Sequence, residues 1–474
     1  MQKRLHTVEK IGGTSMSRFG EVMENVIVAG QSGPALYQRI FVVSAYSGVT
    51  NALLEDKKTS APGVYAHFAA GRPEWKTRLE EVRALLKNLN RKFEALGLNC
   101  AEADAFVDER LDGVKDCLED LMNLRAYGHL APENYLPASC EMLAAIGESH
   151  SAFNSAAILR KHGVNAVCVD LARWRETEIL PIEEVVRRAF EHIDLAREMP
   201  VVTGYVKCEG GIMTQYSRGY SEITFSKIAA VTLAREGIIH KEFHLSTGDP
   251  VLMGVNNVEV IGNTNFDIAD EMSDMNMEAI HSKASKELQL KRIPIRVKNA
   301  FDPKHPGTLI TEDFVSAEPR VEMVCGREDI LAIDIKDSDM VGQTGYDAQI
   351  LAAISESGIS YITTNTTANA ITHYFPQKSG KVEQAVKRIR VIRPGATITL
   401  HEVAIVTVLG TNMKDSRFLA VATSALADAG VEILAVNQAM HRISIQFVVR
   451  REQSALAQTS LHAAFVKHAP GLSR

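Results

Sequence analysis

Thr7-Val8-Glu9-Lys10-Ile11-Gly12-Gly13-Thr14-Ser15 is the stretch on which the fold turns. Thr7–Ile11 is β-rich, two glycines end it, and a helical pattern opens at Phe19. Strand, glycine turn and helix in that order begin an α/β unit. The paired glycines let backbone N–H groups approach an anion without a Cβ in the way. Lys10 adds a point charge suited to phosphate oxygens. Thr14 and Ser15 add hydroxyls that can cap the next helix. No Gly-x-x-x-x-Gly-Lys-Ser/Thr run occurs in the chain, so this is not a Walker loop. Taken alone, a phosphate cradle and a tight structural turn are equal readings.

Outward from that stretch, short β-rich runs alternate with helical patterns as far as residue 300. The predicted strands are Thr7–Ile11, Arg39–Ala45, Ala166–Leu171, Pro200–Val206, Ile239–Leu245 and Pro294–Val297. The predicted helices include Phe19–Ala29, Met142–Lys161, Ile182–His192 and Glu222–Glu236. Such alternation predicts an α/β/α sandwich with a mainly parallel central sheet, whose ligands sit beyond the carboxyl ends of the strands. Trp75–Ala126 breaks the rhythm: Leu79, Val82, Leu85, Leu86, Leu89 and Phe93 recur at helical spacing in a charged stretch. The expectation is a helical insertion over about 56–135 within a catalytic stretch 1–315, closed by the turn-rich Pro303–Pro319.

The last third repeats itself. A strand through Leu331, Ile333 and Ile335, a polar loop Asp337–Gly345, a helix Tyr346–Ser357, Gly358, and strands Ile359–Thr363 and Ala370–Phe375 form the first copy. Val403–Leu409, Gly410–Arg417, Phe418–Ala429, Gly430, Val431–Val436 and Ile443–Val449 form the second, 72 residues on. Gly358 and Gly430 take matching places as helix stops. Two copies of a β-α-β-β-α unit predict two small α+β domains, over 325–392 and 400–470.

The bulk figures exclude several function classes. The chain has 474 residues, enough for two to four domains, with a formal net charge of -6. No Lys/Arg run suggests a nucleic-acid partner. Cys100, Cys117, Cys140, Cys168, Cys208 and Cys325 form no Cys-x-x-Cys pair, and no His-Glu-x-x-His run exists, so reduced thiols are expected, with no metal site. No apolar run reaches membrane-spanning length and Met1–Lys10 has no apolar core, so a cytoplasmic protein away from membranes is expected.

Three further runs can carry chemistry. Val42-Val43-Ser44-Ala45-Tyr46-Ser47-Gly48-Val49-Thr50-Asn51 ends a strand in small residues and hydroxyls, which can line a pocket or make a turn. Ile146-Gly147-Glu148-Ser149-His150 sets a carboxylate among apolar neighbours. It must be paired or face a cleft, where it can hold an ammonium; His150 reads as structural. Val202-Thr203-Gly204-Tyr205, Gly210-Gly211 and Ser217-Arg218-Gly219-Tyr220-Ser221-Glu222-Ile223-Thr224 join a strand, a glycine hairpin and a polar helix start. Arg218 can grip a carboxylate bidentately and Glu222 can meet a cation. An ordinary hairpin with a capped helix reads equally well.

In combination and in this order, these runs resemble the aspartate kinases of the amino-acid-kinase superfamily. Ile295-Arg296-Val297-Lys298-Asn299-Ala300-Phe301 and Pro306-Gly307-Thr308-Leu309-Ile310 are similar to the family's closing segment, and the repeats look like its two ACT domains. The resemblance implies ATP, Mg²⁺ and L-aspartate. Lys10, Gly12 and Gly13 would hold the ATP phosphates, with Ser246, Thr247 and Asp249 in the nucleotide-binding run. Ser44, Thr50, Glu148, Tyr205, Arg218 and Ser221 would bind aspartate, and Lys10, Arg218 and Glu222 would form the catalytic centre. An amino-acid effector at the ACT-like domains and a homodimer or higher homo-oligomer are also implied.

The chain departs from the family at several points. The usual Gly-Arg-Gly-Gly-Ser-Asp is Ser217-Arg218-Gly219-Tyr220-Ser221-Glu222 here, Trp-Thr-Asp is Leu245-Ser246-Thr247, and Gly-Ala-Lys is Asn276-Met277-Glu278. Arg218–Phe225 and Lys241–Ser246 resemble the divergent aspartokinase found with ectoine-synthesis genes. The expected reaction moves the ATP γ-phosphoryl group to the β-carboxylate of aspartate, as the first step of the aspartate pathway. A kinase for another amino-acid carboxylate and a non-catalytic amino-acid sensor on a degenerate kinase fold are the competing readings.

Overall fold

Every residue of Thr7–Ile11 is buried, Glu9 and Lys10 included. A strand so placed must be central and covered on both faces. The structure, a computed structural model, describes residues 5–57, 59–128, 130–216, 219–275, 277, 280–376 and 381–467. Its strands in chain order are β1 (Thr7–Ile11), β2 (Arg39–Val43), β3 (Ala166–Val169), β4 (Met199–Thr203), β5 (Glu236–Lys241), β6 (Asn263–Asn265), β7 (Ile295–Asn299), β8 (Thr308–Thr311), β9 (Met323–Lys336), β10 (Thr363–Thr366), β11 (Ala370–Pro376), β12 (Thr397–Leu409), β13 (Ile433–Asn437) and β14 (Ser444–Arg450). Two compact units result: Met1–His244 with Ile280–Glu312, and Leu245–Ala279 with Asp313–Arg474.

In the first unit the strands lie in the order β3-β4-β2-β1-β5-β7-β8, all parallel except β8. The α/β class with a mainly parallel sheet is therefore as expected. From β1 the chain runs to β2 on one side and later to β5 on the other. The carboxyl end of β1 is thus a switch point, where open parallel sheets take their ligands.

Successive residues of β1 face opposite sides. Glu9 turns to one side, where Arg39 and His240 hydrogen-bond its carboxylate at 2.6 and 2.8 Å. Burial disfavours its charge, but those two partners outweigh burial and hold the carboxyl well below the usual range. Lys10 turns to the other side, toward the site described below.

The insertion is helical, with Trp75–Lys92 and Cys100–Ala126 as its long members. Leu79, Val82, Leu86, Leu89 and Phe93 are buried, so the predicted stripe is packing. The next helix, Pro132–Lys161, starts ten residues before the expected Met142 and carries Pro137 inside it. Pro137 reads as a breaker, yet near the helix start it removes a single backbone donor and the helix continues through it. β5 ends at Lys241, short of the expected Leu245.

In the second unit β9 and β12 are longer than the sequence suggested, because they pair with each other over most of their length. The two repeats thereby share one antiparallel sheet, β10-β11-β9-β12-β14-β13. Ile333, Ile350, Phe375 and Ile389 centre one core, while Val406, Phe418, Phe447 and Leu461 centre the other. Gly358 (φ +64°) and Gly430 (φ +70°) end their helices in the left-handed conformation, as predicted. The 245–279 segment belongs with this unit. Val324 N–H donates to the Thr247 carbonyl at 2.8 Å, and the buried Glu322 accepts from the Thr264 and Thr411 hydroxyls at 2.8 and 2.6 Å. No helix among the described residues is long and apolar enough to cross a membrane.

Candidate active site

The site grows from the carboxyl ends of β1, β2 and β4. After β1 the chain turns through Gly12 and Gly13 into the short helix Gly13–Met16. Gly13 is required sterically: a Cβ there would sit 2.6 Å from the Ala45 carbonyl oxygen after β2. At Gly12 a Cβ would meet its neighbours at an ordinary 3.7 Å. The turn is tied down from β5's exit, where Glu242 accepts from Ser15 N–H at 2.8 Å and Ser15 Oγ at 2.7 Å.

Beyond β2, Ser44 leads into the turn at Gly48 (φ +83°) and the helix Val49–Leu53, which bears Thr50. The long helix Pro132–Lys161 reaches this corner because Gly147 lacks a side chain; its Cβ would lie 2.6 Å from that of Ala45. Its next residue, Glu148, is thereby delivered to the sheet edge with 3% exposure. After β4, Gly204 makes the same kind of room for Ser221, whose Cβ a side chain at 204 would meet at 2.7 Å. Ser44 Oγ donates to Ser221 Oγ at 3.2 Å.

Lys10 Nζ lies 3.3 Å from Glu222 Oε1, both side chains about nine-tenths buried. The other oxygen of Glu222 accepts the His281 N–H at 2.6 Å. Burial works against the Glu222 charge, but Lys10, Lys241 and that N–H prevail and its pKa is lowered. It is an anion flanked by cations. Glu148 is the opposite case. Burial pushes it up to about 7, although the Tyr220 hydroxyl, peptide N–H groups of Glu148 and Ala45, and the charge of Lys10 pull the other way. Tyr220 donates to Glu148 Oε1 at 2.8 Å, while among the described residues Glu148 Oε2 is buried with no hydrogen-bond partner.

A cavity of about 280 Å³ joins these pieces; Gly13, Thr14, Ser44, Thr50, Glu148, Tyr220 and Ser221 are on its wall. Ser44, Thr50, Glu148 and Ser221, singled out from sequence, thus converge on one pocket, with Gly13 at its rim. Lys10, Gly12 and Glu222 are not on that wall. Tyr205 is not on that wall. Its hydroxyl donates to Glu141 Oε2 at 2.9 Å, and its ring meets Tyr220 edge to face, so Tyr220 stands between it and the pocket. Arg218 and Glu278 lie outside the described residues.

Ser246, Thr247 and Asp249 lie in the second unit. Ser246 Oγ donates to the Gly248 carbonyl at 2.8 Å, Thr247 Oγ1 and His462 Nε2 are 2.9 Å apart, and Asp249 caps the Val251 N–H at 2.8 Å. His150 is buried and hydrogen-bonded to Asn90, its pKa pushed down to about 3 by burial, in keeping with a structural role.

Sequence reading missed the partners. In sequence Tyr220 stands out as a departure from the family's run, with nothing to show its bond to Glu148. Glu242 lies beside Lys241 with no signal that it reaches back to Ser15. The His281 N–H is a backbone donor that no side-chain pattern reveals.

The amino acid kinase family model matches residues 6–299, well over half of the chain. This chain belongs to the amino acid kinase family. An ACT domain model matches residues 406–465, within the second repeat. The chain is 44% identical over 465 residues to the aspartate kinase Ask_Ect of Stutzerimonas stutzeri, covering 98% of each. It is 23% identical over 496 residues to the chloroplastic aspartokinase 1 of Arabidopsis thaliana, covering 98% of this chain and 81% of that one. Among solved structures, the aspartate kinase of Clostridium acetobutylicum matches with a TM-score of 0.73 at 20% identity, over 97% of this chain and 100% of that one. Aspartokinase III of E. coli, in complex with aspartate and ADP, matches with a TM-score of 0.72 at 18% identity, over 97% and 99%. These last two extend the likeness of fold across both units of this family member.

Proposed function

We propose that this amino acid kinase is an aspartate kinase that transfers the γ-phosphoryl group of ATP to the β-carboxylate of L-aspartate. The products are 4-phospho-L-aspartate and ADP, made for ectoine synthesis. The 44% identity to Ask_Ect over nearly the whole chain supports both the reaction and the ectoine link. The observation that carries the reading is that Glu148, which shares the wall of a small polar cavity with Gly13, has a buried Oε2 with no hydrogen-bond partner among the described residues. A buried ionised carboxylate oxygen without a donor is costly, and an amino acid's ammonium removes that cost.

The chemistry asks little of acid–base groups. A carboxylate nucleophile is ionised at neutral pH, with a pKa of about 3.9 for free aspartate side chains, so no general base is needed. The protein must bring two anions together and neutralise the transferred group. Lys10 and the backbone of Gly12 and Gly13 serve the phosphates, and Glu222 aligns Lys10 through their 3.3 Å ion pair. Ser44, Thr50 and Ser221 serve the acceptor with Glu148, and Arg218 takes a substrate carboxylate. We leave Ser246, Thr247 and Asp249 out of the nucleotide set, because their side chains are occupied within the second unit. Tyr205 acts through Tyr220.

For Mg²⁺ the described residues offer no cluster of three His, Cys, Asp or Glu side chains, and both Glu222 and Glu242 are engaged. The described residues supply no all-protein cage for the ion. At the ACT-like repeats we propose an amino-acid effector at Asp337–Gly345 and Gly410–Arg417, and a homodimer or larger homo-oligomer. A screen of ADP release over aspartate, glutamate and N-acetylglutamate tests the acceptor. Aspartate alone should support turnover; equal rates with all three would refute the assignment. The engagement of Lys10 by Glu222 favours one competing reading, a non-catalytic amino-acid sensor, for which aspartate would bind with no ADP formed.

A further inference from the structure

We propose that Tyr220 is the positioning residue for acceptor choice: its hydroxyl fixes one oxygen of Glu148 so that the other faces the acceptor's α-ammonium. The proposal rests on the aspartate kinase reading and deepens it.

Tyr220 and Glu148 share the wall of the 280 Å³ cavity, and 2.8 Å separates the phenol oxygen from Glu148 Oε1. A carboxylate on three rotatable bonds could turn either oxygen to a ligand or away from it. Here the turn is prevented at each link. Tyr220 has 3% exposure and opens the helix Tyr220–Val231 immediately after Gly219 (φ +104°). Its ring is braced edge to face by Tyr205, centroids 5.9 Å apart at 84°. Tyr205 is braced in turn by Glu141, which the N–H groups of Met213 and Thr214 hold at 2.7 and 3.0 Å. The phenol therefore has one position, and so does the oxygen it grips.

Among the described residues, Glu148 Oε2 is left buried without a hydrogen-bond partner. On the cavity wall Ser44, Thr50 and Ser221 bring hydroxyls, Asn51 brings a carboxamide that donates to Asp56 at 2.7 Å, and Gly13 brings no side chain; none of these carries a positive charge. A ligand with an ammonium completes the site with a charged donor. A ligand of the same shape without one leaves the oxygen unpaired, and sites built in this way reject the incomplete ligand strongly. A glycine at this position, as the family resemblance leads one to expect, could not hold Glu148 by a side chain. Tyrosine here replaces open room with a fixed donor, which selects for the amine.

The test compares L-aspartate with succinate, the same skeleton without the amine. Binding by calorimetry and kcat/KM are measured for wild type, Tyr220→Phe, Glu148→Gln and the double variant. In Tyr220→Phe, the KM for aspartate should rise and the preference over succinate should fall, each about tenfold, for loss of one hydrogen bond to a charged group. The KM for ATP should not move, and Tyr220→Phe should add less than about twofold in the Glu148→Gln background. Equal losses for aspartate and succinate, or no change for either, overturn the proposal. Thermal unfolding checks each variant. Should Tyr220→Phe fail to fold, Glu148→Gln decides alone, since a retained preference for aspartate in that variant also overturns it. If wild type neither binds nor phosphorylates aspartate, the kinase reading fails as well; if wild type works and Tyr220→Phe equals it, only this proposal fails.

Discussion

Lys10 and Glu222 are 212 residues apart in the chain, yet Nζ and Oε1 meet at 3.3 Å with both side chains buried. Neither charge could be so placed without the other. Removing one partner of a buried pair leaves an uncompensated charge at a cost of roughly 3–5 kcal/mol. Lys241 and the His281 N–H remain beside Glu222 and soften that cost. Lys10→Met should therefore reduce kcat at least about a hundredfold, as expected for loss of a charge at the transferred group. It should lower thermal stability modestly without unfolding the protein. Steady-state kinetics with a thermal melt check both parts, and an unchanged kcat refutes the role of Lys10.

The two glycines of the turn should respond differently to substitution. Gly13→Ala pushes a methyl to 2.6 Å from the Ala45 carbonyl oxygen, whereas Gly12→Ala meets nothing closer than 3.7 Å. Overpacking of this kind costs about 1–3 kcal/mol. Gly13→Ala should melt earlier than wild type, and Gly12→Ala should melt as wild type does. Differential scanning calorimetry on the pair reads this directly.

Glu148 gives a pH signature. Burial holds it at about 7, above the ordinary 4.5, so between those values the folded state keeps a proton that the unfolded chain gives up. Stability contributed by this group is therefore present below pH 4.5 and falls as pH rises to 7, by a few kcal/mol in all. Glu148→Gln, which cannot ionise, should melt above wild type at pH 8 and lose that advantage toward pH 5. Aspartate needs the ionised form, so its KM should fall as pH rises from 6 to 8 in wild type and stay flat in Glu148→Gln. Melts and KM values across that range check both statements.

In the second unit, Glu322 has 3% exposure and accepts from Thr264 and Thr411. It ties the 245–279 segment to the loop after β12. Glu322→Ala would strand two buried hydroxyls, at about 1–3 kcal/mol each. Limited proteolysis should then cut within 245–279 sooner than in wild type; an unaltered cleavage pattern contradicts this role.

Local patterns carried much of this structure. β1 was legible to the residue because glycines bound it, and Gly358 and Gly430 fixed both helix ends through their left-handed φ. Ser44, Thr50, Glu148 and Ser221 could be named because the runs that carry them, taken together and in order, resemble the aspartate kinases; each run alone reads as well as a turn, a paired carboxylate or a capped helix. What was hidden is what pairing over distance decides. β9 and β12 lengthen because they find each other, which no local period records. The helix start at Pro132 was masked by Pro137, whose local rule gave way to the rest of the helix. Residues 245–279 join the second unit through Thr247, Thr264 and Glu322; Thr247 reads in sequence as a nucleotide contact, and Thr264 and Glu322 carry no signal. The bond from Tyr220 to Glu148 spans 72 residues, and the ring's bulk was visible where its partner was not.

The most direct measurement of the central claim is chemical trapping of the product. Purified protein with L-aspartate, ATP, Mg²⁺ and hydroxylamine should yield aspartyl β-hydroxamate and ADP in equal amounts, with neither formed by the Lys10→Met variant. ADP without hydroxamate, or no product from folded protein that binds aspartate, would contradict phosphoryl transfer to the β-carboxylate at this site.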